Sequence, residues 1–527
     1  MKKNILFILV VILVLSLSSC LTDDSSMGID NVGNITVSGI ADSYTETAYI
    51  GQVLNITPTV KTDYADNDMQ YQWLLLSSKT GSTTANGDTI APVIIGTSKD
   101  LNYNVSISPG TYQIRFIAKS KTNGYTVYMV SSLKVLTNFS QGFYIMKETA
   151  DHNTELDLLN SDGAMESNLF TQINGSPILG KPQKLDIDYN MYYINPDDNE
   201  IETTNGITVT TENKNICVSR STDMKTIFNR DNLLFDKMSD DEIPYGIINN
   251  AVGYLFYYSS NGIRTISAAS SYSSPSSGKY GRIDAVCGGS KYITHDIGSY
   301  GGTIFWDEKA HSLFFTDYNA NLSEAQYGDG SGLETTQNLT DYDCLHIGYN
   351  YMNRSGTATV ILQNNTTGAR YLYLTESSFG HIYLNNRYLI KPNTHMSQAT
   401  AYSTNGLTAK YIYCIDGGKI YASIFNNSDL SESEIRPQGI NADETITYVS
   451  NQFWNGGGDT SFNNLIIGTQ KDNQYKLYFY NMVGGIPEGA PINVVSGIGN
   501  VKSVRYLNMM INTTYWNFRR QIFNIND

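Results

Sequence analysis

Charged side chains are scarce in this sequence, and basic ones are scarcer than acidic ones. Asp, Glu, Lys and Arg make up only 16% of the 527 residues, and 35 Lys and Arg stand against 50 Asp and Glu, a formal charge of −15. Such an acidic chain repels the phosphates of nucleic acids and the anionic head groups of lipids. Nucleic acid is therefore excluded as an expected partner.

Cysteine is also rare, with five residues in the whole chain. Cys20 lies near the start, and the other four are 70, 57 and 70 residues apart: Cys217, Cys287, Cys344 and Cys414. No CxxC pair occurs, which argues against a structural zinc site. Two alternatives stay open for these four thiols: disulfides of undefined pairing, or buried free thiols that pack as small apolar groups.

The sequence also lacks the common catalytic signatures. It contains no HExxH, no GxSxG, no Walker loop and no GxGxxG after a predicted strand. Residues 317–321 begin like a calcium loop, but Leu322 and Gly328 stand where an EF-hand needs Gly and Glu. The acidic stretches 63–68 and 197–200 are interpreted as solvated loops. We therefore expect no enzyme and no cofactor, with a structural calcium ion as the alternative.

A single long apolar run is present, at the very start of the chain. Lys2 and Lys3 precede an apolar run over residues 5–15, and small residues lead to Cys20. This order is typical of a secretory signal peptide, and the run is too short to span a bilayer. The segment Leu-Ser-Ser-Cys resembles the bacterial lipobox. The resemblance implies removal of residues 1–19 and lipidation of Cys20, which would anchor the protein to a membrane.

The residues after Cys20 indicate where the lipoprotein is sent. Asp23 and Asp24 form an acidic pair that resembles the surface-export tag of lipoproteins in the Bacteroidetes. That tag implies a lipid anchor in the outer membrane and a protein that faces the cell exterior. A plain polar tether would use the same residues. Residues 20–32 are predicted to be this lipidated, flexible tether.

Residues 33–137 are predicted to form an immunoglobulin-like β-sandwich. About seven short strands of alternating polarity are separated by Gly, Asn and Pro turns, which is typical of such sandwiches. Trp73 lies in the middle of one strand, and Tyr112 follows the turn at Pro109 and Gly110. Both positions resemble the PKD-like domain found at the front of many Bacteroidetes lipoproteins.

The rest of the chain, residues 140–527, is predicted to be an all-β domain built from a repeated hairpin. Apolar-aromatic strand pairs begin near residues 142, 206, 253, 302, 357, 410 and 462, a spacing of 47 to 64 residues. A β unit that recurs at this spacing is typical of propeller blades. Seven units predict a seven-bladed β-propeller, which residues 501–507 can close. A stacked array of β-sandwiches is the alternative.

Aromatic residues in the predicted loops are the candidate ligand-binding residues. Flat rings stack on sugars or on peptide side chains, and neighbouring amides satisfy polar edges. The candidates are Trp454, Phe453, Tyr349, Tyr351 and Trp516. Loops of a chain with 39 Tyr would carry such residues in any case.

Taken together, the lipobox, the acidic pair, the sandwich and the β-rich remainder resemble the PKD-like family of Bacteroidetes lipoproteins. The resemblance implies an accessory lipoprotein of a SusC/SusD-like outer-membrane importer that binds a glycan or an oligopeptide for nutrient uptake. Only the role of Cys20 carries over as a residue role. Two alternatives stay open: a surface hydrolase with a carboxylate site in the propeller, and an adhesive, protein-docking lipoprotein.

Overall fold

The computed structural model describes residues 33–47, 53–83, 88–105, 107, 110–195, 201–249, 254–266, 277–295, 303–317, 319–328, 338–350, 357–378, 381–406, 408–425, 429–454 and 461–508. The predicted signal peptide and tether, with Cys20, lie outside these residues, as do Tyr351, Trp516 and residues 197–200. Among the residues described, no helix has the length and apolar character that crossing a membrane requires. The chain separates into two compact units, Met1–Thr137 and Asn138–Asp527.

The first unit is a β-sandwich of short strands. A five-stranded sheet of order β2-β9-β8-β5-β6 packs against two strand pairs, β1-β4 and β3-β7, and residues 66–68 form a 3₁₀ turn. The strands are β1 (Ile35–Ser38), β2 (Ser43–Thr47), β3 (Val53–Ile56), β4 (Thr59–Thr62), β5 (Met69–Leu76), β6 (Val93–Gly96), β7 (Leu101–Asn104), β8 (Gly110–Ser120) and β9 (Thr126–Leu136).

Trp73 lies at the centre of the core of this sandwich. Its side chain is fully buried, its ring lies 4.5 Å from that of Phe116 on the neighbouring strand, and its Nε1 donates to the Ser98 carbonyl over 3.1 Å. The indole is therefore both packed and hydrogen-bonded, as a buried Trp requires. Tyr112, at the start of β8, packs partly buried against the same core. The predicted immunoglobulin-like fold is confirmed.

The second unit contains β10 to β38 and two short helices. The helices are α1 (Leu169–Asn174) and α2 (His395–Gln398). The strands are β10 (Gly142–Glu148), β11 (Thr154–Asn160), β12 (Met165–Glu166), β13 (Pro182–Ile194), β14 (Ile201–Thr211), β15 (Ile216–Arg220), β16 (Thr226–Asn229), β17 (Pro244–Asn249), β18 (Leu255–Ser259), β19 (Gly262–Ile266), β20 (Ile293–His295), β21 (Thr303–Asp307), β22 (Ser312–Thr316), β23 (Leu322–Glu324), β24 (Gln326–Tyr327), β25 (Tyr342–Asn350), β26 (Thr357–Asn364), β27 (Arg370–Ser378), β28 (His381–Leu389), β29 (Ala401–Thr404), β30 (Tyr411–Asp416), β31 (Lys419–Ile424), β32 (Glu432–Ile435), β33 (Thr445–Trp454), β34 (Phe462–Lys471), β35 (Gln474–Val483), β36 (Ile486–Pro487), β37 (Asn493–Ile498) and β38 (Asn500–Leu507).

These strands form seven antiparallel sheets within the described residues, and each sheet is one blade of a β-propeller. Six blades are consecutive in the chain: β13-β14-β15-β16, β17-β18-β19, β20-β21-β22-β23, β25-β26-β27-β28, β29-β30-β31-β32 and β33-β34-β35-β37. The first strand of each is the innermost, because these strands contact one another from blade to blade. In addition, β24 pairs with β28, and β36 pairs with β35.

The remaining blade joins the two ends of the unit. Strand β38, at the carboxyl end, pairs antiparallel with β10, so that the order is β38-β10-β11-β12. β38 is the innermost strand of this blade and contacts the innermost strands of both neighbours, β13 and β33. The ring is thereby closed, which protects strand edges from unwanted pairing. The predicted seven-bladed propeller and its closing strand are confirmed.

The predicted hairpins are the second and third strands of the blades. Their side chains alternate between the two faces of a sheet, and both faces are covered by neighbouring blades, so every residue of β18, β19 and β21 is buried. Trp306 of β21, for example, is fully buried in a cluster with Tyr373 of the next blade. This double burial explains why the hairpins are near-continuous apolar runs.

The four cysteines of this unit are buried and free: Cys217, Cys287, Cys344 and Cys414. Burial raises the pKa of all four thiols, that of Cys287 to about 12. They pack as small apolar groups, which decides between the two alternatives that the sequence left open.

Candidate functional site

A cavity of about 510 Å³ lies at the centre of the propeller ring. Six of the seven innermost strands contribute to its wall, mostly through their amino-terminal halves: β13, β20, β25, β29, β33 and β38. The cavity therefore occupies the end of the central channel at which the innermost strands begin. Its volume is within the range of small-molecule and oligomer sites, roughly 300–1,000 Å³.

The wall of the cavity is rich in basic residues, whereas the chain as a whole is acidic. The nineteen described residues that line the cavity include four cations and no carboxylate: Gln183, Lys184, Lys291, Tyr292, Ile293, Leu345, His346, Ile347, Thr400, Ala401, Tyr402, Thr447, Tyr448, Val449, Asn500, Val501, Lys502, Ser503 and Arg505. Lys and Arg are thus four residues in nineteen here, against 35 in 527 overall. We call Lys184, Lys291, Lys502 and Arg505 the cationic lining.

Two members of the cationic lining are buried where β13 meets β38. Arg505 is 3% exposed, and its Nε donates to the Leu185 carbonyl of β13 over 3.2 Å. Lys184 is 6% exposed, and its Nζ lies 3.5 Å from an oxygen of Asp186. Burial restricts the rotamers of both long side chains, so the two cations are held in place on one side of the cavity.

The other two cations are exposed. Lys502 ends 3.3 Å from Glu148 of β10, and its side chain keeps 38% of its surface in solvent. The Nζ of Lys291, just ahead of β20, lies 5.3 Å from the ring centroid of Tyr292, a cation–π contact. Through these two residues the cavity reaches solvent, and a ligand can approach positive charge from outside.

His346 is held by a hydroxyl network at the β25 side of the cavity. Its Nε2 lies 2.8 Å from Oγ1 of Thr404, which is in turn 2.6 Å from Oγ1 of Thr359. Gly348 makes this approach available, because a Cβ there would collide with Thr404 and with the imidazole. The imidazole is 5% exposed and therefore contributes a fixed polar group to the wall.

Two of the three tyrosines in the wall are anchored by hydrogen bonds. Tyr448 accepts a hydrogen bond from the Val504 amide of β38 over 2.9 Å. The hydroxyl of Tyr402 donates to the Met396 carbonyl, and burial raises the pKa of Tyr402 to about 12. The side chain of Tyr292 is only partly buried, so part of its ring is available for stacking.

Two carboxyl groups lie on β13 beside the cationic lining, but neither is part of the cavity wall. Asp188 is fully buried and accepts a hydrogen bond from Thr208. Burial, followed by the nearby Asp186, raises the pKa of Asp188 well above its ordinary value. An acid of this kind can donate a proton, but a hydrolase needs its two carboxyl groups to face the bound substrate.

The predicted aromatic candidates that the structure describes lie in strands, so their placement in loops was wrong. Tyr349 belongs to β25, and Phe453 and Trp454 belong to β33. All three are buried, Tyr349 and Phe453 in the same core cluster and Trp454 with its ring 6.0 Å from that of Tyr506. Their role as ligand contacts stays a prediction. None of them is part of the cavity wall.

Asp317 and Asp68, from two of the acidic stretches considered for calcium, accept hydrogen bonds from other residues of the protein. An oxygen of Asp317 accepts from the amides of Asn319 and Asn321, which is an Asx-type turn. Asp68 accepts from Thr122 and Ser120, and these bonds lower its pKa. Within the described ranges, no group of three or more His, Cys, Asp or Glu is placed to hold a metal ion.

Most of the wall of the cavity was not predicted from the sequence. The apolar hairpins were predicted, whereas the wall is formed by the mixed polar strands that precede them, such as β13, β20 and β29. Only β38 was anticipated, as the closing strand, and without a binding role. A usable signal was present: basic residues such as Lys184 and Arg505 within strands of an acidic β-protein.

The comparison with protein families supports the assignment of the front of the chain. The model described as "PKD-like family" matches residues 20–182. The N-terminal domain is PKD-like. No curated protein matches the sequence.

Solved structures resemble the chain loosely. A quinonprotein alcohol dehydrogenase-like protein from Bacteroides thetaiotaomicron VPI-5482 is 14% identical, over 90% of this chain and 99% of that one, with a TM-score of 0.40. The Dos1 propeller is 9% identical (72% and 83% covered, TM-score 0.34). An auxiliary nutrient binding protein from the same Bacteroides strain is 8% identical (82% and 93% covered, TM-score 0.28). At these scores the likenesses carry no functional argument.

Proposed function

We propose that this protein is a non-catalytic binding lipoprotein of the outer membrane, which captures an oligomeric nutrient for a SusC/SusD-like importer. The observation that carries the proposal is the 510 Å³ cavity with cations and tyrosines in its wall. Convergent polar groups and partly exposed rings in a largely preformed cavity are what a binding site requires. The PKD-like domain and the lipobox-like segment before Cys20 support the surface location.

The geometry favours binding over hydrolysis. A glycosidase places two carboxyl groups on either side of the bond that it cleaves, roughly 5–10 Å apart. The described wall of the cavity offers no Asp or Glu, and the neighbouring Asp186 and Asp188 are both buried outside this wall. The wall therefore supplies groups that hold a ligand rather than groups that transfer protons to it.

The proposal is tested by affinity purification of the full-length, tagged lipoprotein from its native outer membrane in mild detergent, with mass spectrometry of the co-purifying proteins. A SusC/SusD-like pair in stoichiometric amount is the expected result. A Cys20→Ser variant, which cannot be lipidated, is the matched control and should lose both the membrane fraction and the partners. Purification of the lipidated protein without any transporter would contradict the importer role.

A further inference from the structure

The charge of the cavity wall indicates which class of ligand enters it. The chain as a whole is acidic, with a formal charge of −15, yet all four ionisable wall residues other than His346 and the tyrosines are cations. They come from three different innermost strands or their immediate neighbours: Lys184 from β13, Lys291 ahead of β20, and Lys502 and Arg505 from β38. A ligand with several negative groups along its length would match this spread.

The nearby carboxylates reduce this charge without removing it from the cavity. Asp186 contacts Lys184 at 3.5 Å, and Glu148 contacts Lys502 at 3.3 Å, but neither carboxylate is in the wall. The ammonium and guanidinium groups, and not these two carboxylates, therefore line the described wall of the cavity. Hydrogen bonds from such groups to carboxylates are shorter and stronger than those between neutral partners.

The neutral part of the wall fits hydroxyl-rich rings. Gln183, Thr400, Thr447, Asn500 and Ser503 supply amide and hydroxyl groups around the cations. These groups both donate and accept, as sugar hydroxyls do.

The partly exposed ring of Tyr292 adds an aromatic face for the apolar side of a sugar. A peptide would also bring an amino terminus, and the described wall holds no carboxylate to receive that positive charge.

We infer that the ligand is a carboxylated oligosaccharide, that is, a short glycan that contains uronic acid units, bound with its carboxylates against the cationic lining. This inference deepens the proposed function and rests on it. The buried pair Lys184 and Arg505 receives one carboxylate at the inner side of the cavity. Lys502 and Lys291 hold further carboxylates near the solvent-exposed side.

The test is isothermal titration calorimetry on the full-length lipoprotein in detergent with three probes. These are tetragalacturonic acid, its fully methyl-esterified neutral form, and tetraglutamate. We expect the acidic oligosaccharide to bind at least tenfold more tightly than the neutral form. An increase in salt from about 50 to 500 mM should weaken the binding of tetragalacturonic acid and leave that of its neutral form unchanged, because added ions screen the charge pairs.

Lysine variants connect the binding to the wall. Lys291 and Lys502 are exposed, so the Lys291→Gln and Lys502→Gln variants should fold normally. Thermal transitions equal to that of the wild type would show this. We expect each substitution to weaken the affinity for tetragalacturonic acid by about fivefold, which corresponds to the loss of one exposed charge pair. Lys225→Gln is the matched control, since Lys225 is also exposed and paired with a carboxylate, Asp223, but lies outside the wall. It should bind like the wild type.

Three results would overturn the inference. Equal affinity for the acidic and the neutral oligosaccharide would remove the role of charge while leaving the binding function intact. A preference for tetraglutamate would identify a peptide instead. If no probe binds, the inferred ligand class is wrong. The importer role would then still be decided independently, by the purification of a transporter complex.

Discussion

The innermost strands of the propeller and the hairpin strands behind them are built from different residues. In β18, β19 and β21 every position is buried, and most are aromatic or aliphatic. The innermost β13 and β38 instead carry Lys184, Asp188 and Arg505, all nearly or fully buried. The hairpins are covered by apolar neighbours on both faces, whereas the innermost strands border the channel. The apolar core is therefore concentrated in the hairpins, and the charged side chains that border the channel lie in the strands that the hairpins support.

The largest expected effect is the loss of a hairpin aromatic. Trp306→Ala should lower the free energy of unfolding by about 3–5 kcal/mol, because a fully buried indole leaves a cavity that the blades cannot fill. Urea unfolding followed by tyrosine and tryptophan fluorescence measures it. Thr447→Ala, at an exposed position of the innermost strand β33, is the control and should stay within about 0.5 kcal/mol of the wild type. Equal losses of unfolding free energy in both variants would contradict the distinction between hairpin strands and innermost strands.

A second prediction concerns Glu444, which directly precedes the innermost strand β33 and accepts hydrogen bonds from residues of β34 and β35. Burial raises the pKa of Glu444, but hydrogen bonds from Lys476, Thr469 and Tyr478 outweigh it and lower the pKa to about 2. A lowered carboxyl pKa contributes stability that is present above pH 4.5 and lost as the pH falls toward 2. At about 1.4 kcal/mol per pKa unit, the contribution is on the order of 3 kcal/mol.

The measurement is the free energy of unfolding between pH 2 and pH 6 for the wild type and Glu444→Gln. The difference in free energy of unfolding between the two proteins should shrink as the pH falls, because the wild-type carboxylate becomes protonated. A gap that is independent of pH would show that the ionised form has no special role.

A third prediction concerns Asp188 on the innermost strand β13. Because burial raises its pKa well above the ordinary value, the neutral acid is favoured in the folded state, and its contribution to stability is present at low pH and lost as the pH rises. Asp188→Asn keeps an acceptor for Thr208 and removes the charge. We expect this variant to exceed the wild type in stability by about 1–3 kcal/mol at pH 8.

The test compares the two proteins in urea at pH 4 and at pH 8. The advantage of the Asn variant should be small at pH 4 and should grow with pH. A variant that is less stable than the wild type at both pH values would mean that the ionised carboxylate is needed in the fold.

The smallest effect on stability is expected at Lys502, although its replacement should weaken the binding of a carboxylated ligand. Lys502→Gln should change the free energy of unfolding by less than about 0.5 kcal/mol, because its ion pair with Glu148 is partly exposed. Thermal unfolding of the variant, measured beside its ligand affinity, separates the two properties. A large loss of stability would show that the cationic lining is structural and would blur the distinction between the two sets of strands.

Much of the fold follows from local patterns that the sequence displays directly. The apolar hairpins beginning near residues 142 to 462 could be predicted because burial on both faces demands continuous apolar residues. The short strands around Trp73 could be predicted from their alternating polarity instead. The closing strand, residues 501–507, was predicted as the segment available after the seventh hairpin to close the ring. The candidate aromatic residues were misplaced because a buried ring such as that of Trp454 and an exposed binding ring have the same identity in sequence.

The all-β class, the two-part organisation of sandwich and repeated hairpins, and the acidic balance of the chain all follow from the sequence alone. Which residues form the cavity depends on the tertiary structure. Lys184 and Arg505 are 321 residues apart in the sequence, and closure of the ring brings both into the wall that also contains Lys291. The physical reason is that a channel is formed by strand edges from separate blades. Its chemistry is therefore set by long-range contacts that no local pattern records.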